Sequence, residues 1–147
     1  EANLGDLEFL KIMAGGIFSG LTRYYHDVHI PAEKADEVYR KWIENSVKKK
    51  IADSVLVYKE NKDIFGFITL QKKGQIPLFG VSKKARGKGI GKALLGNAVN
   101  EFKKMGLGEI IVETQISNIP ALRLYISMGF KITTSYFVLA WNNKHSS

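Results

Sequence analysis

Hydrophobic positions recur with a helical period in some stretches of the chain and alternate with polar ones in others, and this change of period lays out the expected elements. Leu7, Leu10 and Met13 follow Asp6 at three-residue spacing, which predicts a helix capped by Asp6 and stopped at Gly15-Gly16. An aromatic, polar segment runs from Phe18 to His29. From Pro31, a residue suited to a helix start, Ala35, Val38, Tyr39, Trp42, Ile43 and Val47 recur every three or four residues and predict the clearest amphipathic helix. The period then shortens. Ser54 to Glu60 and Ile64 to Lys72 are β-rich runs separated by the polar turn Asn61-Lys62-Asp63, which reads as a hairpin, and a third run, Ile76 to Ser82, follows at once. Connections this short argue for an antiparallel meander, because parallel neighbours need longer crossovers.

Ile90, Leu94, Leu95, Ala98, Val99, Phe102 and Met105 return to helical spacing, and Gly106 closes that element. Glu109 to Ile116 is expected as a strand and Asn118 to Met128 as a helix, with Pro120 in its first turn and Gly129 at its end. Ile132 to Trp141 is expected as a last strand. The order is α-α-β-β-β-α-β-α-β, with no internal repeat and no low-complexity linker.

A length of 147 residues with 45% hydrophobic and 24% charged residues suits one globular domain over 1–147. No run approaches the roughly 20 apolar residues of a membrane span, and no charged-then-apolar leader is present, so a soluble, cytoplasmic protein without a membrane partner is the default expectation. The first residue is glutamate, which fits the C-terminal part of a longer chain. The absence of cysteine excludes disulfides, thiolate metal sites and a cysteine nucleophile, and no histidine-carboxylate spacing suggests a metal. A net charge of +8 favours anionic partners: nucleic acid, a membrane surface or a polyphosphate ligand. The lysine clusters at Lys48-Lys49-Lys50 and Lys72-Lys73 read equally well as solvated faces, whereas the densest basic stretch, Lys83-Lys84 with Arg86, Lys88 and Lys92, is laced with glycine.

That stretch carries the chemistry. Leu78-Phe79-Gly80-Val81 runs as a strand into Ala85-Arg86-Gly87-Lys88-Gly89-Ile90-Gly91-Lys92 and then into a helix. Glycines let a backbone approach a ligand closely, successive N–H groups converge on one spot, and the helix N-terminus adds partial positive charge, so the segment suits phosphate. It is not an ATP-type loop, because Gly91-Lys92 is followed by Ala93 and not by Ser or Thr. It also fails the dinucleotide pattern G-x-G-x-x-G.

Arg86-Gly87-Lys88-Gly89-Ile90-Gly91 resembles the R-x-x-G-x-G/A signature of GNAT acetyltransferases, with Val81 before it and Ala93-Leu94-Leu95 after it also matching. Independently, Asn118 to Phe130 resembles the family segment N-x-x-A-x-x-L-Y-x-x-x-G-F. The resemblance covers residues 54 to 141 well and the earlier part more loosely. Lys83 departs from the proline that many members carry there. The resemblance implies an α/β (α+β) fold with a mixed, mostly antiparallel sheet flanked by helices and splayed in the middle, and a first strand that this sequence begins too late to contain in full. It implies acetyl-CoA as acetyl donor, its pantetheine arm against Phe79, Gly80 and Val81 and its pyrophosphate at Arg86, Gly87, Lys88, Gly89, Ile90, Gly91 and Lys92. Asn118, Ala121 and Tyr125 complete the implied cofactor set.

The implied reaction is attack of an amine on the thioester carbonyl. Tyr125 is the implied acid for the departing sulfur, since a phenol can donate to a developing thiolate, and a backbone N–H near Val81 would stabilise the oxyanion. The base is open: Glu113 through water, or His26 or His29, each of which reads as readily as an ordinary polar residue. The first two helices and their connection imply the acceptor wall, here Arg23, Tyr24, Tyr25 and His26 with Trp42, although Tyr39 and Trp42 also lie on the apolar stripe of their helix. Arg23 to Asp27, Ile30-Pro31, Tyr39 to Trp42 and Asn45-Ser46 resemble a subgroup that includes acetyltransferases of nucleotide-linked amino sugars. The expected partners are acetyl-CoA and a small amine, with a homodimer left open and no nucleic acid. A CoA-binding sensor without catalysis and a basic nucleic-acid module are the other readings.

Overall fold

The fold is given by a computed structural model, which describes residues 1–27 and 29–139. Asn3, not Asp6, starts the first helical segment. Its side chain accepts from the Gly5 N–H at 2.8 Å, while the Asp6 carboxylate accepts from the Asn3 N–H at 2.9 Å, a reciprocal cap over the 3-10 turn Leu4–Asp6. Asp6 also pairs with Lys59 of the sheet. Helix α1 (Leu7–Ile17) runs through its expected stop at Gly15-Gly16. Gly15 is buried where a Cβ would run into the Arg40 guanidinium, so this glycine admits a neighbouring helix and does not end its own. The single turn α2 (Arg23–His26) leads to α3 (Ala32–Val47), which buries Ala35, Tyr39, Ile43 and Ser46.

Strands β1 (Ser54–Glu60) and β2 (Asp63–Leu70) form the expected hairpin. Glu60 pairs with Asp63, so the turn is only Asn61-Lys62, and Asn61 adopts φ 55°. Beyond β2 the expected third strand divides into β3 (Gln75–Ile76) and β4 (Phe79–Val81). At the break the Leu78 N–H donates to Thr69 Oγ1 (2.8 Å) and the Thr69 N–H to the Leu78 carbonyl (2.8 Å). A buried hydroxyl thus replaces a backbone acceptor beside Pro77, which has no N–H to give. β1, β2 and β4 are antiparallel in that order, while β3 pairs in parallel with β5 (Ile111–Val112).

The strand expected over Glu109 to Ile116 is therefore two residues long. Continuing its register with β3, which pairs Ile76 with Val112, would place Glu113 opposite Pro77, and a proline cannot extend the ladder. The expected last strand is also absent: among the described residues, 131–139 has no strand, and Ala140 and Trp141 lie outside them. A strand is made by its neighbour, and β5 ends too early to offer one. Tyr136 is held instead by its side chain, whose hydroxyl donates to Glu113 at 2.7 Å.

Helices α4 (Ile90–Lys104) and α5 (Ile119–Ser127) fall where the periodicity and the breakers Gly106 and Gly129 place them. Alternation along β2 sorts two cores: Phe67 faces α1 and α3 with Leu10, Ile17, Phe18, Tyr39 and Ile43, and Ile68 faces α4 with Leu94, Leu95, Phe102 and Tyr125. The architecture is the expected mixed, mainly antiparallel sheet with helices on both faces. Among the described residues no helix is long and apolar enough to cross a membrane.

Candidate active site

The free edge of β4 is the starting point. In an antiparallel pair, alternate residues bond across the ladder. Leu78 bonds to Thr69, and the Ser82 N–H donates to the Phe65 carbonyl at 2.8 Å, with Gly80 opposite Phe67 between them. Phe79 and Val81 therefore aim their N–H and carbonyl groups away from β2. Among the described residues no strand pairs with that edge, because the chain beyond β5 has left the register. The result is a wedge whose one wall offers backbone donors and acceptors to an extended amide-bearing ligand. Gly80 faces α1 so closely that a Cβ would lie 2.8 Å from Ile17 Cδ1.

Past β4 a 3-10 turn, Lys83–Ala85, buries Ala85 and turns the chain into the glycine loop. Gly87 and Gly89 adopt φ 76° and 79°, left-handed values that other residues tolerate poorly, and neither has an atom within 4 Å of a would-be Cβ. Backbone conformation, not crowding, requires glycine at both. Gly91 differs: a Cβ there would meet Leu124 Cδ2 at 3.1 Å, so its bareness lets α4 start against α5. No side chain caps α4, and the N–H groups from Arg86 to Lys92 have no acceptor among the described residues. Lys83, Lys84, Arg86, Lys88 and Lys92 have no carboxylate within 4.0 Å there either. Unpartnered amides, a helix N-terminus and cations without a carboxylate make the segment suited to a diphosphate. The Arg86 side chain is exposed yet tethered. Its Nε donates to the Val81 carbonyl (3.3 Å) and its Nη2 to the Ile17 carbonyl at the end of α1 (3.4 Å), contacts that no local pattern announces.

On α5, Asn118 caps the helix by accepting from the Ala121 N–H (3.4 Å) and anchors the cap by donating to Thr114 Oγ1 (3.2 Å). The helix then delivers Tyr125 to the wedge. Its ring is 7% exposed, 6.2 Å from that of Phe79 and 5.8 Å from that of Phe130. Burial pushes the phenol well above its ordinary pKa, and the hydroxyl has no hydrogen-bond partner among the described residues. It is a neutral proton donor without a competing acceptor.

The other expected residues lie on or near α2, on α3 and on the chain after β5. Arg23 lies over the Tyr24 ring at 5.0 Å and donates to its hydroxyl at 3.2 Å. Tyr25 donates to Asp36. Tyr25, Tyr39 and Trp42 stack in sequence, with centroids 6.1 and 6.2 Å apart and planes within 2° and 9°. Tyr39 is 4% exposed and donates to Thr22 Oγ1 (2.7 Å). Tyr39 belongs to the core, and Trp42 packs half-buried against it, so both support the wall from behind. His26 and His29 are exposed, and neither ring makes a hydrogen bond among the described residues. Glu113 is exposed and takes the Tyr136 hydroxyl. Gln115 was not foreseen: with its amide turned to satisfy both neighbours, it donates to the Leu21 carbonyl (3.2 Å) and accepts from the Arg23 N–H, tying the chain beyond β5 to α2. Among the described residues no three His, Asp or Glu side chains could share a metal. Two grooves, of about 560 Å³ between α1 and α3 and about 310 Å³ between β1 and α4, are lined by none of the expected site residues.

Comparison with known proteins supplies the context. The family model described as acetyltransferase (GNAT) domain matches residues 21–142. The chain is 29% identical over 136 residues to the spore coat polysaccharide biosynthesis protein SpsD of Bacillus subtilis, covering 90% of this chain and 46% of that one. The chain thus spans about half the length of this relative, and less of others. A protein from Pyrococcus horikoshii has a crystal structure that superposes with a TM-score of 0.76 at 27% identity, over 93% of this chain and 88% of that one. The PaiA N-acetyltransferase from Thermoplasma acidophilum, solved in complex with coenzyme A, shares the fold with a TM-score of 0.72 at 20% identity, over 92% and 89%.

Proposed function

The chain belongs to the GNAT acetyltransferase family, and on that premise we propose that it transfers the acetyl group of acetyl-CoA to the primary amine of a small acceptor, with a nucleotide-linked amino sugar as the best-supported class. The observation that carries the transferase reading is a free strand edge followed directly by a loop of unpartnered amides. The free edge of β4 at Phe79 and Val81 runs into the unpartnered amides of Arg86 to Lys92, and the Tyr125 phenol stands beside Phe79. An extended pantetheine arm suits the first part and a pyrophosphate the second, which brings the thioester toward Tyr125.

In the proposed reaction the neutral amine attacks the thioester carbonyl, a C–N bond forms, and the tetrahedral intermediate collapses with loss of the C–S bond. The amine proton leaves to base and solvent, and the departing thiolate takes a proton from Tyr125. Backbone N–H groups at the free edge of β4 would hold the developing oxyanion. Glu113 is the proposed base, acting through water. The acceptor class is supported by the aromatic and polar wall of Arg23, Tyr24 and Tyr25 and by the polysaccharide role in the name of the Bacillus subtilis relative.

The test is calorimetric titration of acetyl-CoA into wild type and Arg86→Glu, followed by free-thiol release across amino sugars, polyamines and peptides. Binding that is lost in the variant, with thiol release only when an amino sugar is present, is expected. No binding to wild type would overturn the transferase reading. Preferred turnover of polyamines or peptides would overturn the acceptor class alone.

A further inference from the structure

On the chain that leaves β5, Gln115 brings a cation and a carboxylate into one neighbourhood. Arg23 is pinned over the Tyr24 ring and to its hydroxyl, and its backbone N–H is held by Gln115. Two residues before Gln115, Glu113 accepts from the Tyr136 hydroxyl. Among the described residues Arg23 has no carboxylate within 4.0 Å. A guanidinium fixed in place by an aromatic face, yet left unpaired, keeps its fork of donors for a ligand. A single amine needs no such group, because the carboxylate alone serves an ammonium.

We propose that the acceptor carries an anionic oxygen group alongside its amine, and that Arg23 binds this group while Glu113 faces the amine end. The inference rests on the transferase reading and makes Arg23 the residue that recognises the acceptor's anion, either the phosphate of a nucleotide-linked amino sugar or a carboxylate, the two groups whose paired oxygens match a guanidinium.

The experiment compares glucosamine, glucosamine 1-phosphate and the corresponding amino uronic acid by calorimetry against wild type saturated with CoA, and against Arg23→Gln and Arg23→Lys. At least one anionic sugar should bind wild type about ten-fold more tightly than glucosamine, and the tighter one identifies phosphate or carboxylate. The preference should shrink with added salt, disappear in Arg23→Gln and survive only in part in Arg23→Lys, which keeps the charge but not the fork. Equal binding of charged and neutral sugars by wild type, or a preference that persists in Arg23→Gln, overturns the proposal. Thiol release is read in parallel: release from neutral amines without any preference for anions refutes this inference and leaves the transferase standing. An intact anion preference without release from any amine refutes the transferase and not the anion site.

Discussion

Tyr125 and Phe79 stand ring against ring, with centroids 6.2 Å apart, so α5 meets the free edge of β4 through the phenol that the proposed chemistry needs. The Tyr125 hydroxyl has no partner to lose among the described residues. Tyr125→Phe should therefore leave the thermal midpoint and CoA affinity nearly unchanged while lowering acceptor-dependent turnover by about 10²-fold or more. Turnover equal to wild type would remove Tyr125 from the mechanism.

Because burial raises the Tyr125 pKa above its ordinary value of 10.0, the acid stays loaded throughout the neutral and mildly alkaline range. The linkage has a definite sign. The contribution to stability is fully present below about pH 10 and is lost as pH rises above it, since the unfolded phenol ionises first. Melting curves between pH 8 and pH 11 should show wild type losing stability more steeply than Tyr125→Phe. Parallel curves would mean that the ring is not desolvated.

At Gly87 and Gly89 the cost of a side chain is conformational. A left-handed alanine costs about 1–2 kcal/mol, and relieving that strain would reorient the unpartnered loop amides. Gly87→Ala and Gly89→Ala should each weaken acetyl-CoA binding by about ten-fold, measured calorimetrically, with little change in helix content. Undiminished affinity in both would place the pyrophosphate elsewhere.

Gly66 tests the packing beneath the site. A Cβ there would lie 2.9 Å from Leu94 Cδ1 and 3.1 Å from the Gly80 carbonyl, and the carbonyl belongs to β4 and cannot swing aside. Gly66→Ala should destabilise by about 1–3 kcal/mol and depress acetyl-CoA binding through a displaced β4. A thermal midpoint equal to wild type would show that the sheet and α4 yield more readily than their contacts suggest.

The elements fixed by local chemistry were legible in the sequence. Helix α3 follows its apolar stripe from Pro31, α4 ends at Gly106, and α5 carries its own Asn118 cap and Gly129 stop. The glycine loop was legible because left-handed φ is written in the residue type. What depended on partners was not. The third strand splits where Thr69, eight residues before Pro77, supplies a hydroxyl to the ladder. Strand β5 stops because its next residue would face that proline, and 132–139 has the composition of a strand without a neighbour. Gly15 looked like a helix end until Arg40 filled the space it leaves. The contacts of Gln115 with α2 and of Tyr136 with Glu113 join segments far apart in the chain, and nothing around either residue marks it.

The stacked rings of Tyr25, Tyr39 and Trp42 also turn the acceptor side into an optical instrument. The protein has two tryptophans, so in a Trp141→Phe background Trp42 is the sole indole emitter, fed by excitation from the neighbouring phenols. Its indole N–H is buried and has no partner among the described residues, which places its emission toward the blue. A molecule seated against Tyr24 and Tyr25 would perturb that emission, whereas the glycine loop at the other end of the wedge has no indole beside it. A single fluorophore can thus separate occupancy of the two ends, and stopped-flow traces with each ligand alone would give the order in which the cleft is filled.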